Sequence, residues 1–184
     1  MTKKKKNQNK KTKSNLFKNI TLVVIAAFII LMLSDLFFNE KKINTIPGSR
    51  QTAVYKFTKE GELTFRTSDD KFITSLDIEL AENDQERAQG LMYRTEMKKN
   101  QGMLFIFPYE EIQSFYMKNT ILSLDMIFIN SELEIVTIRK NTEPYSLDTQ
   151  ISDKPAQYVL ETNAGYTDKN KIKVGDRVVF RKIN

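Results

Sequence analysis

"GMLFIFP", Gly102 to Pro108, is apolar at every position. A β-strand sends alternate side chains to opposite faces, so an unbroken apolar run needs cover on both sides. "LDMIFIN", Leu124 to Asn130, repeats the pattern with one carboxylate, Asp125, set into it. Two such runs read as central strands of a closed or covered sheet. Around them lie segments with the period-two alternation of half-buried strands: "FITSLDIELA" (Phe72 to Ala81) and "ELEIVTIRK" (Glu132 to Lys140). The second is expected to pair with the strand before it through the Asn130-Ser131 turn. "AQYVLET" (Ala156 to Thr162) and "DRVVFRK" (Asp176 to Lys182) add strands. "VYKFTKEGELTFRT" (Val54 to Thr67) reads as a hairpin about Lys59-Glu60-Gly61.

Helical signals are few. Asn83 followed three residues later by Glu86 is close to a capping box, which predicts a short helix from about Asp84 to Met92. Ala164 to Lys171 is a short helix or a loop. The sum is a mainly β (α+β) domain: compact, barrel-like, with short and mostly antiparallel strands and one or two short helices.

The formal charge of +6 is misleading. Eight lysines precede Ile20, and from Lys41 onward 21 Lys and Arg face 21 Asp and Glu. The domain therefore lacks the basic stripe that neutralises phosphates, and no nucleic-acid partner is expected. The chain has no Cys and no His, which removes thiol nucleophiles, imidazole acid–base chemistry and the usual zinc ligands. No metal and no cofactor are expected.

The lysines precede "NITLVVIAAFIILMLSDLFF" (Asn19 to Phe38), whose dense apolar core runs from Ile20 to Leu33. With Leu36, Phe37 and Phe38 it approaches the ~20 residues that a membrane span requires. Its basic flank predicts an uncleaved signal anchor in a bacterial inner membrane, N-terminus in the cytoplasm and remainder exported. A cleaved signal peptide is the alternative, but no small-x-small pattern follows Leu33. The expected organisation is a basic tail over 1–18, the anchor over 19–38, a stalk over 39–53 and an exported domain over 54–184.

Taken in order, "ERAQGLMYR", "GMLFIF", "FYMKNT", "LDMIFI", "YVLETNAG" and "GDRVVF" make a pattern that closely resembles the bacterial and archaeal family known as domain of unknown function 192. The likeness runs from about Phe57 to Phe180. It implies a small β-rich barrel domain, often behind an export signal or anchor, with no established reaction. The family's usual Trp in the "FWMKNT" block is Tyr116 here, and its "PLD" is Ser123-Leu124-Asp125.

Several residues admit both a structural and a functional reading. Arg87 and Arg94 are seven apart and would share one face of a continuing helix, forming a clamp for an anion. Alternatively, Gly90 ends the helix and Arg87 pairs with a carboxylate. Asp125 shares a face with Ile127 and Ile129, so it must find partners, with Arg87, Lys118 and Asn119 as candidates. It is then either a fastener for the Lys118-Asn119-Thr120 turn or a general base. Glu161 shares a face with Val159 and is either core-paired or site-lining. The Met and aromatic content is either pocket wall or plain core.

The candidate ligand-binding set is thus Arg87, Arg94, Tyr116, Lys118, Asn119, Asp125 and Glu161, with Lys118 and Asn119 favoured as ligand contacts. The expected function is a binding module for a sugar or anionic metabolite. A membrane-tethered assembly domain ranks second, its protein partners unidentified, and a carboxylate-based hydrolase or lyase third.

Overall fold

The computed structural model describes residues 56–183, within the second of the two units, Met1–Gln51 and Thr52–Asn184, into which the chain divides. The candidate tail, anchor and stalk lie outside the described residues. No helix among the described residues is long and apolar enough to cross a membrane.

The two apolar runs are central strands, as their lack of alternation requires. They are β3 (Gln101–Glu111) and β5 (Leu124–Ile129), and both pair antiparallel with β8 (Ala156–Asn163), which lies between them. On the outer side of β3 come β2 (Phe72–Ala81), β1 (Gly61–Arg66) and β9 (Arg177–Lys182). On the outer side of β5 comes β6 (Ile135–Thr142). The order is β6-β5-β8-β3-β2-β1-β9, and every pair is antiparallel except β2 with β3. A ribbon of β4 (Ser114–Phe115) and β7 (Gln150–Ile151) forms a second, two-stranded sheet.

The sheet is curled but is not the barrel that the sequence suggests. Its two edges touch at the Glu134–Arg177 bridge, supported by Ile135 N–H donating to the Asp176 carbonyl and Val178 N–H to that of Leu133. Beyond that point β6 follows β5 and β9 follows β1, so the two edges share no continuous ladder. The expected hairpin about Lys59-Glu60-Gly61 is also displaced. Residues 56–60 are not a strand, and β1 turns into β2 through Thr67–Lys71, with Asp70 at φ +62°. The β5–β6 hairpin falls where expected.

Strand parity sorts the core into two clusters on opposite faces. Leu63, Ile78, Leu104, Ile127, Leu160 and Val178 lie on the concave side, with residues from every strand of the large sheet. Met103, Phe105, Met126, Phe128 and Val159 lie on the other side. That second face is covered by two crossovers. Residues 82–100 link the parallel strands β2 and β3, and residues 112–123 carry the chain over β8 from β3 to β5. Leu91 and Met97 of the first and Met117 and Leu122 of the second pack onto it.

The first crossover holds α1 (Asp84–Gln89), a six-residue helix that buries no residue. Such a helix has neither length nor packing to hold it, so local hydrogen bonds must. Asn83 Oδ1 accepts from Glu86 N–H at 2.9 Å, and Glu86 Oε2 accepts from Asn83 N–H at 3.2 Å, a complete capping box. The helix stops at Gly90, three residues short of the predicted end, with φ +45°. The positive φ disfavours any side chain there, and a Cβ would lie 3.1 Å from Phe105 Cζ, a tight contact that the ring would have to relieve by shifting.

Asp125 locks the concave side. It is fully buried, and its carboxylate accepts four hydrogen bonds: from Asn141 N–H (2.9 Å), Gly165 N–H (3.2 Å), Thr167 N–H (2.9 Å) and Thr167 Oγ1 (2.7 Å). It thereby ties β5 to β6 and to the start of α2 (Tyr166–Asn170). The fastener reading is therefore right and its expected partners are wrong, because the Lys118–Thr120 turn lies with the cover of the opposite face.

Asp125→Asn is expected to cost about 3 kcal/mol or more, because it turns an amide N–H2 toward donors that lose a charged acceptor. Urea unfolding of the two proteins measures this. A loss below about 1 kcal/mol would contradict the role assigned to Asp125.

Candidate functional site

The two crossovers do not close over the sheet completely. Between residues 87–92 of one and 113–120 of the other lies a cavity of about 260 Å³. Its walls include Phe105 and Phe107 from β3 and Phe115 from β4, and Glu161 of β8 lines it. Phe115 sits edge-on to Phe105 at 5.1 Å and to Phe107 at 6.1 Å between ring centroids, which fixes the rings as a group.

Glu161 is only 5% exposed. Its cross-strand neighbours are Met103 and Met126, side chains that offer a carboxyl almost nothing to bond with. Register places Glu79, Met103, Glu161 and Met126 in one row across β2, β3, β8 and β5. The two acids are thus two strands apart, roughly 10 Å between backbones by strand spacing. Arg94, from the first crossover, reaches into this row and forms a buried ion pair with Glu79, whose other oxygen accepts from Thr58 N–H at 2.9 Å. One guanidinium thus serves two carboxylates. Burial pushes the Glu161 carboxyl up to about 8, and the Arg94 charge opposes this incompletely.

The other lining polar groups are largely committed. Arg87 donates from Nη1 to the Glu82 and Ile106 carbonyls at 2.6 and 2.8 Å and from Nη2 to Asp84 at 2.6 Å. Its guanidinium also lies over the Phe107 ring at 5.4 Å. The Gln113 side chain donates to the Ala156 carbonyl at 3.2 Å, and Thr120 Oγ1 to that of Lys118 at 3.3 Å. Tyr116 is half-exposed at the mouth.

Of the seven candidate residues, the structure brings Arg87, Tyr116 and Glu161 to this cavity. Arg94 lies behind it, in an adjoining groove with Glu79. The two arginines do not share a helix face, because α1 ends between them. Lys118 and Asn119 do not line the cavity. Lys118 is exposed, and Asn119 is a turn residue at φ +56° whose carbonyl accepts from Tyr93 N–H at 2.9 Å. The polar triplet is chiefly a turn, which Asn at positive φ explains. Asp125 is on the far face: it pairs with Thr162, while Glu161 pairs with Met126. The phenyl walls belong to the aromatic content that the sequence left open between pocket wall and core, whereas Gln113 and Glu79 were missed as site residues. Glu79 carried a weak signal, since strand parity sets it on the same sheet face as Ala81.

The protein is a curled mixed sheet, covered on both faces, with a small aromatic cavity lined by an acid on its central strand. Residues 64–180 match the model of DUF192, described as "Uncharacterized ACR, COG1430". The chain belongs to that family. It is 28% identical over 115 residues to the UPF0127 protein PF1050 of Pyrococcus furiosus, covering 59% of this chain and 90% of that one. A crystal structure from Sinorhizobium meliloti 1021, of a protein provisionally named a transcription regulator, matches with TM-score 0.64 and 37% identity. That match covers 68% of this chain and 98% of the other. A protein of unknown function from Novosphingobium aromaticivorans DSM 12444 matches with TM-score 0.61 and 32% identity, over 64% and 83% of the two chains.

Glu161 carries a pH signature of definite sign. Its folded value near 8 lies above its ordinary 4.5, so the folded state holds the proton more tightly. Its contribution to stability therefore falls as pH rises from about 4.5 to about 8, and levels off above. Glu161→Gln is expected to remove that slope and to be more stable than the parent at pH 8 by urea unfolding. A parent and variant with parallel profiles would contradict the assignment.

Proposed function

We propose that the domain is a small-molecule-binding module whose site is the cavity over β8. The observation that supports this reading is the placement of Glu161. An acid set among Met103, Met126 and phenyl rings lowers stability, and nothing in the fold requires it there. Asp125, by contrast, repays its burial with four hydrogen bonds. A costly polar group at an apolar cavity is the usual mark of a site kept for a ligand.

Of the two ligand classes suggested by the sequence, an anionic metabolite fits this cavity poorly, because Arg87 is engaged and the remaining ionisable group is an acid. A sugar would find few hydrogen-bonding groups between the rings. A hydrolase using Asp125 with Glu161 is not supported by the geometry, since their side chains leave opposite faces of the sheet. Regulation through nucleic acid, which the provisional name of the S. meliloti protein suggests, would need a basic surface that the balanced charge of the domain does not supply.

Ala88 lines the mouth of the cavity and is exposed, so a large side chain there would obstruct entry without entering the core. A fragment screen by thermal shift on the full chain is expected to give hits that Ala88→Trp abolishes while its own unliganded melting temperature stays within about 2 °C of the parent. Hits that survive Ala88→Trp unchanged would place the binding elsewhere.

The assembly reading retains one supporting observation. Ile112, Tyr116, Tyr145 and Leu147 are all more than half exposed and lie on the segments joined by the β4–β7 ribbon. The membrane anchor over 19–38, with the domain on the far side of an inner membrane, is likewise proposed on the lysine-flanked apolar run. External protease added to spheroplasts is expected to degrade the domain, whereas intact cells protect it. Full protection in both would place the domain in the cytoplasm.

A further inference from the structure

The binding-module reading leaves the class of ligand open, and the chemistry of the cavity narrows it. The lining donors away from the mouth are engaged inside the protein: Arg87 with two carbonyls and Asp84, Gln113 with Ala156, Thr120 with Lys118 and Gln89 with Met92, while the Ser114 and Tyr116 hydroxyls belong to exposed residues. The Glu161 carboxyl is buried at the cavity wall, and once ionised it only accepts. A ligand that supplied only acceptors would find there the single O–H of the neutral acid among aromatic rings. One that supplies donors and positive charge completes the site.

The charged row behind the cavity is short of one cation. Glu79 and Glu161 face Arg94, and Arg94 is ion-paired with Glu79. The other ionisable groups around Glu161 are Arg87 from α1, which is engaged by Asp84, and the Tyr116 phenol at the mouth. Ionising Glu161 therefore leaves one uncompensated negative charge at a buried position, and a cation placed in the cavity would reduce that penalty. The rings add to the preference, since aromatic faces attract cations and repel anions.

Resting on the binding-module reading, we infer that the cavity takes a small amine with a flat apolar body, its ammonium on the Glu161 carboxylate and its body against Phe105, Phe107 and Phe115. The amine arrives as R–NH3+ and Glu161 as the neutral acid. On binding, the carboxyl O–H proton passes to solvent, leaving a carboxylate and ammonium pair in the site. Charge and protons balance, and no bond within the ligand changes. Because one proton is released, affinity rises with pH up to the point where Glu161 ionises unaided. At about 260 Å³ the cavity suits one ring with a short arm.

Benzylamine, benzyl alcohol and benzoate share a ring and differ in charge, so they test the inference directly. Titrated into the full chain labelled with [13C]methyl-methionine, they report through Met92, Met103 and Met126, which line the cavity or flank Glu161. Benzylamine is expected to shift these signals and to bind tenfold or more tightly at pH 8 than at pH 6. Benzyl alcohol should bind more weakly with no pH dependence, and benzoate least. In Glu161→Gln, benzylamine should lose its pH dependence and at least tenfold in affinity at pH 8, with benzyl alcohol unchanged. That last result also shows that the variant is folded. If benzyl alcohol shifts the signals but benzylamine binds equally at both pH values or ignores the substitution, the amine inference falls and the binding-module reading stands. If none of the three disturbs these methyls, both fall.

Discussion

Both faces of one sheet must be kept dry, and most of the architecture follows from that constraint. β3, β8 and β5 carry apolar side chains on both sides. Curling the sheet buries one side, where the seven strands supply a common core. The other side needs separate cover, and the chain provides it with the two links that have to cross the sheet in any case. One joins the parallel pair β2 and β3, and the other passes over β8. Neither is a long amphipathic helix. Short links built from one capped turn of helix and a two-residue strand cannot seal a surface completely, and the space they leave is the cavity.

The two acids on the central strands show how differently burial can be managed. Asp125 points to the concave core, where β6 and the start of α2 bring three backbone N–H groups and a hydroxyl to its oxygens. Such a carboxylate stabilises the fold and is unavailable to anything else. Glu161, one strand over and on the opposite face, has thioether neighbours and a share of a guanidinium that Glu79 already holds. The physical difference is the supply of donors. It makes Asp125 a structural bolt and leaves Glu161 as the chemically available group, the reverse of what its less conspicuous sequence setting suggests.

Much of the fold was legible because it rests on parity and capping. The unbroken runs at Gly102 to Pro108 and Leu124 to Asn130 had to be central, and Asn83 with Glu86 had to start a helix. The barrel closure and the hairpin at Lys59-Glu60-Gly61 were not, because they depend on where distant edges meet and on the Thr67–Lys71 turn. The site was half legible. Glu161 and Tyr116 stood out, and parity placed Glu161 beside Val159 and Asp125 beside Ile127. No local pattern, however, says which crossover lies above which strand. Lys118 and Asn119 were overvalued for that reason: a polar triplet before an apolar run looks like a site until Asn119 is found holding a turn at positive φ.

The role of the cavity turns on whether Glu161 is held there as a neutral acid. Its carboxyl carbon, followed by 13C NMR in the full chain across pH 3 to 10, reports that state directly. The structure predicts a titration midpoint near 8. A midpoint near the ordinary 4.5 would mean that the carboxylate is already paired or solvated, and the cavity would lose the feature on which its assignment as a site depends.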